Sequence, residues 1–136
     1  MDMIVTQAQG RVPVTILHLT GRIDASNYQS VVDKAKELYE AGTRDLLLDL
    51  SEVGFISSAG IVALHRTALL FRVEKVEDDE SGWNAIHALD RDQAGGAQEH
   101  VKLFNPRPDV DHTLELVGFK RYFDFYTDLN QAVSAF

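Results

Sequence analysis

Apolar and polar positions change their period several times along the chain, and each change marks an element. MIVTQAQG (3–10) and VPVTILHLTG (12–21) are β-branched runs joined near Gly10 and Arg11, which predicts a hairpin. In the second run Val14, Ile16, Leu17 and Leu19 are expected to make one strongly apolar face, with Gly21 ending the strand. DASNYQSVVDKAKELYEAG (24–42) then turns to helical spacing: Val31, Ala35 and Leu38 recur on one stripe, with Val32 and Tyr39 beside them. Ser26 and Gln29 have the spacing of a capping box, and Gly42 supplies a left-handed stop. DLLLDL (45–50) is a near-continuous apolar run, as in a strand covered on both faces. FISSAGIV (55–62) hands over to a helix whose Ile61, Leu64, Ala68 and Phe71 fall on one stripe.

The pattern breaks at Val73. Residues 74–80, EKVEDDE, hold six charges, five of them acidic, and 81–100 show little periodicity and contain Gly82, Gly95 and Gly96. The stretch 73–100 is therefore expected to be a solvated, mobile, acidic and glycine-containing insertion, in which Trp83, Ile86 and Leu89 could form a short amphipathic helix. Order resumes with the strand HVKLFN (100–105). Pro106 and Pro108 introduce a helix over DVDHTLELVGF that stops at Gly118. YFDFY (122–126) is expected as a last strand, and Thr127 as the cap of a final helix with Leu129, Val133 and Phe136 facing inward. Two strands followed by alternating helices and strands predict an α/β fold. Its sheet is mostly parallel with an antiparallel edge strand, packed with about four helices, in one domain over residues 1–136.

Bulk composition then narrows the function. The 136 residues are 45% hydrophobic, enough for a core, and include no cysteine, so disulfides and thiolate chemistry are excluded. No apolar run reaches the ~20 residues that span a bilayer. The start lacks the basic-then-apolar order of a secretory leader, which leads us to expect a cytoplasmic protein without membrane insertion. A formal net charge of −8 at pH 7 repels phosphate backbones and argues against nucleic acid as a partner.

Catalytic motifs are missing. His18, His65, His87, His100 and His112 have neither zinc-protease nor zinc-finger spacing, so no metal site is expected. AGGAQ (94–98) is too weak a glycine signal for a phosphate cradle, and no nucleophile elbow exists. Asp24 and Asp49 raise the idea of paired carboxylates, but Asp49 reads as the end of a strand. DLLLDL superficially resembles the phosphoacceptor strand of response-regulator receivers. The first strand, however, leads into TQAQGR rather than an acidic cluster, and the last strand lacks the lysine such proteins need. The expectation is a protein that is not an enzyme, with no cofactor and no catalytic residue.

Three segments in order, LTGRIDASN, LLLDLSEVGFISSAGIVAL and LELVGFKRYFDFYTDLNQAV, resemble the STAS domain family (sulfate transporter and anti-sigma factor antagonist), and within it the stand-alone bacterial members. The resemblance covers residues 1–72 and 101–136 and implies a STAS-like fold. It also implies the role of an anti-sigma factor antagonist, which sequesters an anti-sigma factor serine kinase and so frees a sigma factor. In that family the serine turn is phosphorylated by the kinase, and the matching position is Ser58, with Gly60 matching the turn glycine. Ser57 stands where the family often has aspartate, which makes it the alternative acceptor, and Ala59 stands where a second serine is common. Asp24 matches an acidic residue near the phosphosite. The implied partner surface is Asp24, Ser57, Ser58, Ala59 and Gly60, and the implied partners are the kinase and a serine phosphatase. The physics of the site agrees: a helix N-terminus carries free N–H groups and partial positive charge that accommodate a phosphate. The other readings are a helix cap without modification, a STAS adaptor or scaffold in a transport or signalling complex, and a small-ligand or nucleotide sensor.

Overall fold

The computed structural model describes residues 1–72 and 98–136. The predicted helix of Trp83, Ile86 and Leu89, and most of the predicted insertion, lie outside the described residues. Its last three residues do not behave as insertion. Gln98 is buried and its N–H donates to the Tyr122 carbonyl at 3.0 Å, while the His100 carbonyl accepts from Leu46 N–H at 2.9 Å. A run of polar side chains there concealed a backbone already built into the fold.

Five strands form one sheet: β1 (Asp2–Gln9), β2 (Pro13–Ile23), β3 (Leu46–Ile56), β4 (Val101–Phe104) and β5 (Phe125–Tyr126), lying side by side in chain order. β1 pairs antiparallel with β2, and every other pairing is parallel. The hairpin is thus the antiparallel edge, and β3 is the middle strand with both faces covered, as its leucines predict. The helices among the described residues are α1 (Tyr28–Glu40), α2 (Ser58–Leu70), α3 (Pro108–Leu116), α4 (Phe119–Tyr122) and α5 (Leu129–Ser134). The single-turn α4 is the one beyond the expected four. It takes Tyr122 out of the predicted last strand, which shrinks to two residues because Tyr122 and Phe123 turn into the core instead.

Two apolar clusters hold the layers together. The larger joins Leu17, Leu19, Leu46, Leu48, Leu50, Val101 and Leu103 of the sheet to Val31 and Ala35 of α1, Ala63, Leu64 and Ala68 of α2, and Val110 and Leu114 of α3. The smaller, on the opposite face, is Val14, Ile16 and Leu47 under Ala132 and Val133 of α5. The predicted single apolar face of β2 is therefore divided: Val14 and Ile16 point to α5, Leu17 and Leu19 to the main core, as a side-chain period of two requires. Leu129, expected inside, is 43% exposed.

β3 runs on to Ile56, past the DLLLDL run that predicted it, and three other strand and helix ends depart from the sequence reading, each for a local reason. β2 continues past Gly21 to Ile23, because the left-handed φ of +91° at Gly21 lets the strand bend through a register irregularity instead of ending. α1 begins at Tyr28 with Asn27 rather than Ser26 in the N-cap position, and without a side-chain cap, because Asn27 Oδ1 accepts from Asp24 N–H instead of from the helix. α5 is capped by Asp128, whose carboxylate accepts from Gln131 N–H at 3.0 Å, in place of Thr127. The stop at Gly42 (φ +114°) is as expected: Gly42 N–H reaches the Tyr39 carbonyl and Thr43 N–H the Leu38 carbonyl, a Schellman closure.

Candidate functional site

The carboxyl ends of β2 and β3 lie together, with Ile23 opposite Ile56. One residue beyond each strand the chain turns, so Asp24 and Ser57 are brought to the same edge of the sheet. The Ser57 N–H donates to the Ile23 carbonyl at 2.9 Å, which fixes the serine turn against the end of β2.

The two serines have different jobs. Ser57 is the N-cap of α2: it is extended (φ −94°, ψ 179°), and its hydroxyl accepts from Gly60 N–H at 3.3 Å. Ser58 is the first helical residue. Its side chain is exposed and makes no hydrogen bond among the described residues. Ala59 is half-buried. Gly60 is buried because the turn is packed so closely: a Cβ there would lie 2.9 Å from the Ile23 carbonyl oxygen and 2.5 Å from Ile56 Cγ1. Glycine at this position is thus explained by close approach of α2 to the strand ends.

Asp24 is held by its own loop. Its carboxylate accepts from the Ser26 hydroxyl at 2.6 Å and Ser26 N–H at 3.0 Å, and Asn27 Oδ1 accepts from Asp24 N–H at 2.9 Å. Asn27 Nδ2 in turn donates to the Arg22 carbonyl at 2.8 Å. The Ser26 hydroxyl, then the Ser26 amide, with Arg22 adding to them, keep the Asp24 carboxyl below the usual carboxylate range. Arg22, 3.5 Å from Asp24 Oδ2, also lies over the exposed Phe55 ring at 4.4 Å. Arg22, Ser26, Asn27 and Phe55 are the site's neighbours that sequence reasoning missed. The D-x-S-N spelling of residues 24–27 is the signal that could have found two of them, Ser26 and Asn27, since Asp and Asn side chains habitually bond backbone two or three residues away.

Asp49 does not end a strand and does not meet Asp24. It sits in the middle of β3, opposite His18, about 20 Å of strand away from the Ile23–Ile56 end. Its Oδ2 is 2.6 Å from His18 Nδ1, its Oδ1 accepts from Ser51, and His18 Nε2 contacts the Thr6 hydroxyl at 2.8 Å. This chain laces β1, β2 and β3 together on the same face of the sheet as α5. Among the described residues no group of three or more His, Asp or Glu could hold a metal ion, and no helix is long and apolar enough to cross a membrane.

Comparison with known proteins decides the family. The STAS domain pattern matches residues 3–77, more than half of the chain and all but the first residue of the β1–α2 unit that builds the serine turn. The chain belongs to the STAS domain family. Solved structures share this STAS domain's fold along nearly its full length. An anti-sigma factor antagonist from Mycobacterium paratuberculosis superposes with a TM-score of 0.70 at 19% identity, over 98% of this chain and 92% of that one. A putative anti-sigma factor antagonist from Thermotoga maritima gives 0.68 at 16% identity, over 96% and 90%. The phosphorylated form of SpoIIAA, a Bacillus cell fate determinant, gives 0.58 at 12% identity, over 96% of each chain. At these identities the likeness is one of fold. No curated protein sequence matches the chain.

Proposed function

We propose that this STAS domain is a non-enzymatic regulatory module, an anti-sigma factor antagonist, switched by phosphorylation of Ser58. Unmodified, it sequesters an anti-sigma factor serine kinase and so frees a sigma factor. A serine phosphatase restores the unmodified form. The observation that carries the reading is the division of labour in the turn: Ser57 is engaged as the cap, while Ser58 offers an exposed hydroxyl on the first residue of a thirteen-residue helix. The family membership and the anti-sigma factor antagonists among its structural likenesses support the partner class.

The contact surface in this reading is Asp24, Ser57, Ser58 and Ala59, with buried Gly60 acting from beneath by letting the turn seat. Phosphate at Ser58 adds about −1.5 to −2 charges. It would sit at the positive end of the α2 dipole, so the helix tolerates it. Asp24, kept ionised by Ser26, already gives the same edge of the sheet a negative charge. The modified site therefore presents two anions to a partner that had bound it with one, and desolvating the unpaired phosphate opposes docking.

Incubation with the kinase and ATP, followed by fragment-ion mapping, should place phosphate on Ser58. Ser58→Asp should fold like the parent and bind the kinase about a hundredfold more weakly, equivalent to ~2.8 kcal/mol. Ser58→Ala should bind and resist modification. Phosphate mainly on Ser57, or a folded Ser58→Asp that binds as tightly as the parent, would overturn the switch.

A further inference from the structure

We propose that β1 is a self-association edge, pairing antiparallel with β1 of a second copy across a two-fold axis to give one continuous sheet. Sheet edges invite pairing, and proteins usually blunt them with lysine, proline, a bulge, a very short strand or a covering segment. β1 uses none of the first four. It is eight residues long, lacks lysine and proline, and runs in unbroken register from the Asp2–Thr20 pair to the Gln9–Pro13 pair. Among the described residues no strand lies on its outer side. Its Ile4 side chain is 57% exposed, the largest exposure of any β-strand apolar residue described. The opposite edge, β5, has only two residues, so head-to-tail stacking of sheets has no template and a symmetric edge-to-edge contact remains.

The sequence of β1 is suited to meet itself. Opposed residues must share a face of the sheet, so their numbers must sum to an even value. Centring the two-fold on Val5 opposes Val5 with Val5, Ile4 with Thr6, Met3 with Gln7 and Asp2 with Ala8, using all residues from Asp2 to Ala8. β-branched side chains then face one another in the middle, residue types that suit a pleated sheet surface. Asp2 is the only charged residue of the strand, and it lands opposite alanine, so no like charges meet. The rest of the molecule opposes the contact: each copy carries a formal charge of −8. Association should accordingly be weak at low ionic strength and tighten as salt screens the two copies.

The chain has no cysteine, which makes the register directly readable. Residues directly opposed in an antiparallel pair have Cα atoms roughly 4.5–5.5 Å apart, within disulfide reach. Mild oxidation of the full-length Val5→Cys protein should give a covalent dimer much faster than Gln9→Cys, which lies beyond the paired stretch. Sedimentation equilibrium of the parent should show a reversible dimer that strengthens with added salt. Ile4→Lys, at an exposed position that does not threaten folding, should raise its dissociation constant roughly tenfold or more. A parent monomeric at about 1 mM in high salt would overturn the proposal and leave the edge to an extended segment of another protein. So would a dimer indifferent to Ile4→Lys, or cross-linking no faster at Val5 than at Gln9.

Discussion

Gly60→Ala should destabilise the protein, although the same exchange inside a helix ordinarily helps. On propensity alone, alanine is worth about 1 kcal/mol over glycine at a helical position. The structure reverses the sign. The added methyl would lie 2.5 Å from Ile56 Cγ1, 2.9 Å from the Ile23 carbonyl oxygen and 3.0 Å from Ile23 Cγ2. A side-chain methyl can rotate away, but the Ile23 carbonyl is fixed: it belongs to β2 and accepts the Ser57 N–H. Relief requires α2 to lift from the strand ends, stretching that hydrogen bond. Overpacking of this kind costs about 1–3 kcal/mol, and a weakened partly buried hydrogen bond about 0.5–1.5 kcal/mol more. Against the propensity gain, the net loss is about 0.5–3.5 kcal/mol. Gly54→Ala is the control, since nothing lies within 4 Å of a Cβ there; it should be neutral or slightly stabilising. Urea titration followed by circular dichroism compares the two midpoints. If Gly60→Ala matches or exceeds the parent in stability while Gly54→Ala behaves as stated, the close approach is not what demands glycine.

Other outcomes follow from the same geometry. Ser57→Ala should lose about 0.5–1 kcal/mol as a long, partly exposed cap is removed, while Ser58→Ala should stay within about 0.5 kcal/mol of the parent; equal losses in thermal melts would mean that the two serines share the cap. His65, whose Nε2 is buried without a hydrogen-bond partner, is held below its ordinary value by burial and then by Arg72 and Arg66. It takes up a proton less readily in the fold than in the unfolded chain, which does so below about pH 6.5. Its contribution to stability is therefore lost as pH falls from there towards the folded value. His65→Phe should flatten the decline in urea midpoint between pH 7.5 and 5.5, and an unchanged slope would contradict this. Asp24→Asn should remove part of the stability decline in the acid range, because a carboxyl held low by Ser26 stabilises above its unfolded pKa and ceases to as it protonates; parallel acid-unfolding curves would show that its hydrogen bonds do not distinguish the folded state.

The architecture was readable because its signals are periodic. The leucines of β3, the helical stripe of α1 and the strand–helix alternation each repeat an instruction several times, so an error at one residue changes little. The site is written in single residues, where neighbours compete. Ser26 could cap a helix or bond Asp24, and spacing alone gives no preference; in the fold it donates to Asp24 at 2.6 Å and the helix starts one residue too late for Ser26 to be its N-cap. Ser57 and Ser58 are chemically alike in the sequence, and only the point at which α2 begins separates cap from free hydroxyl. Gln98 looked like insertion because its side chain is polar, yet its place is fixed by a backbone bond to Tyr122 that no side-chain pattern encodes. Likewise Asp49 read as a strand end because a carboxylate in mid-sheet is costly. The compensation lies in His18, thirty-one residues earlier in the chain.

A sheet whose strands lie in the order they are made can grow by accretion. Each new strand finds its template in the one before it, and no strand must be threaded between two already paired. The step from β3 to β4 is the long one, joining Leu46 to Val101. Yet the entropy of closing a loop rises only logarithmically, by about 0.6 kcal/mol for each doubling of its length. Residues added to or removed from the link between α2 and β4 should therefore carry a small cost to assembly. Shortening it should alter the folding rate only modestly, while leaving the edge that carries Asp24 and the serine turn, complete by residue 60, untouched.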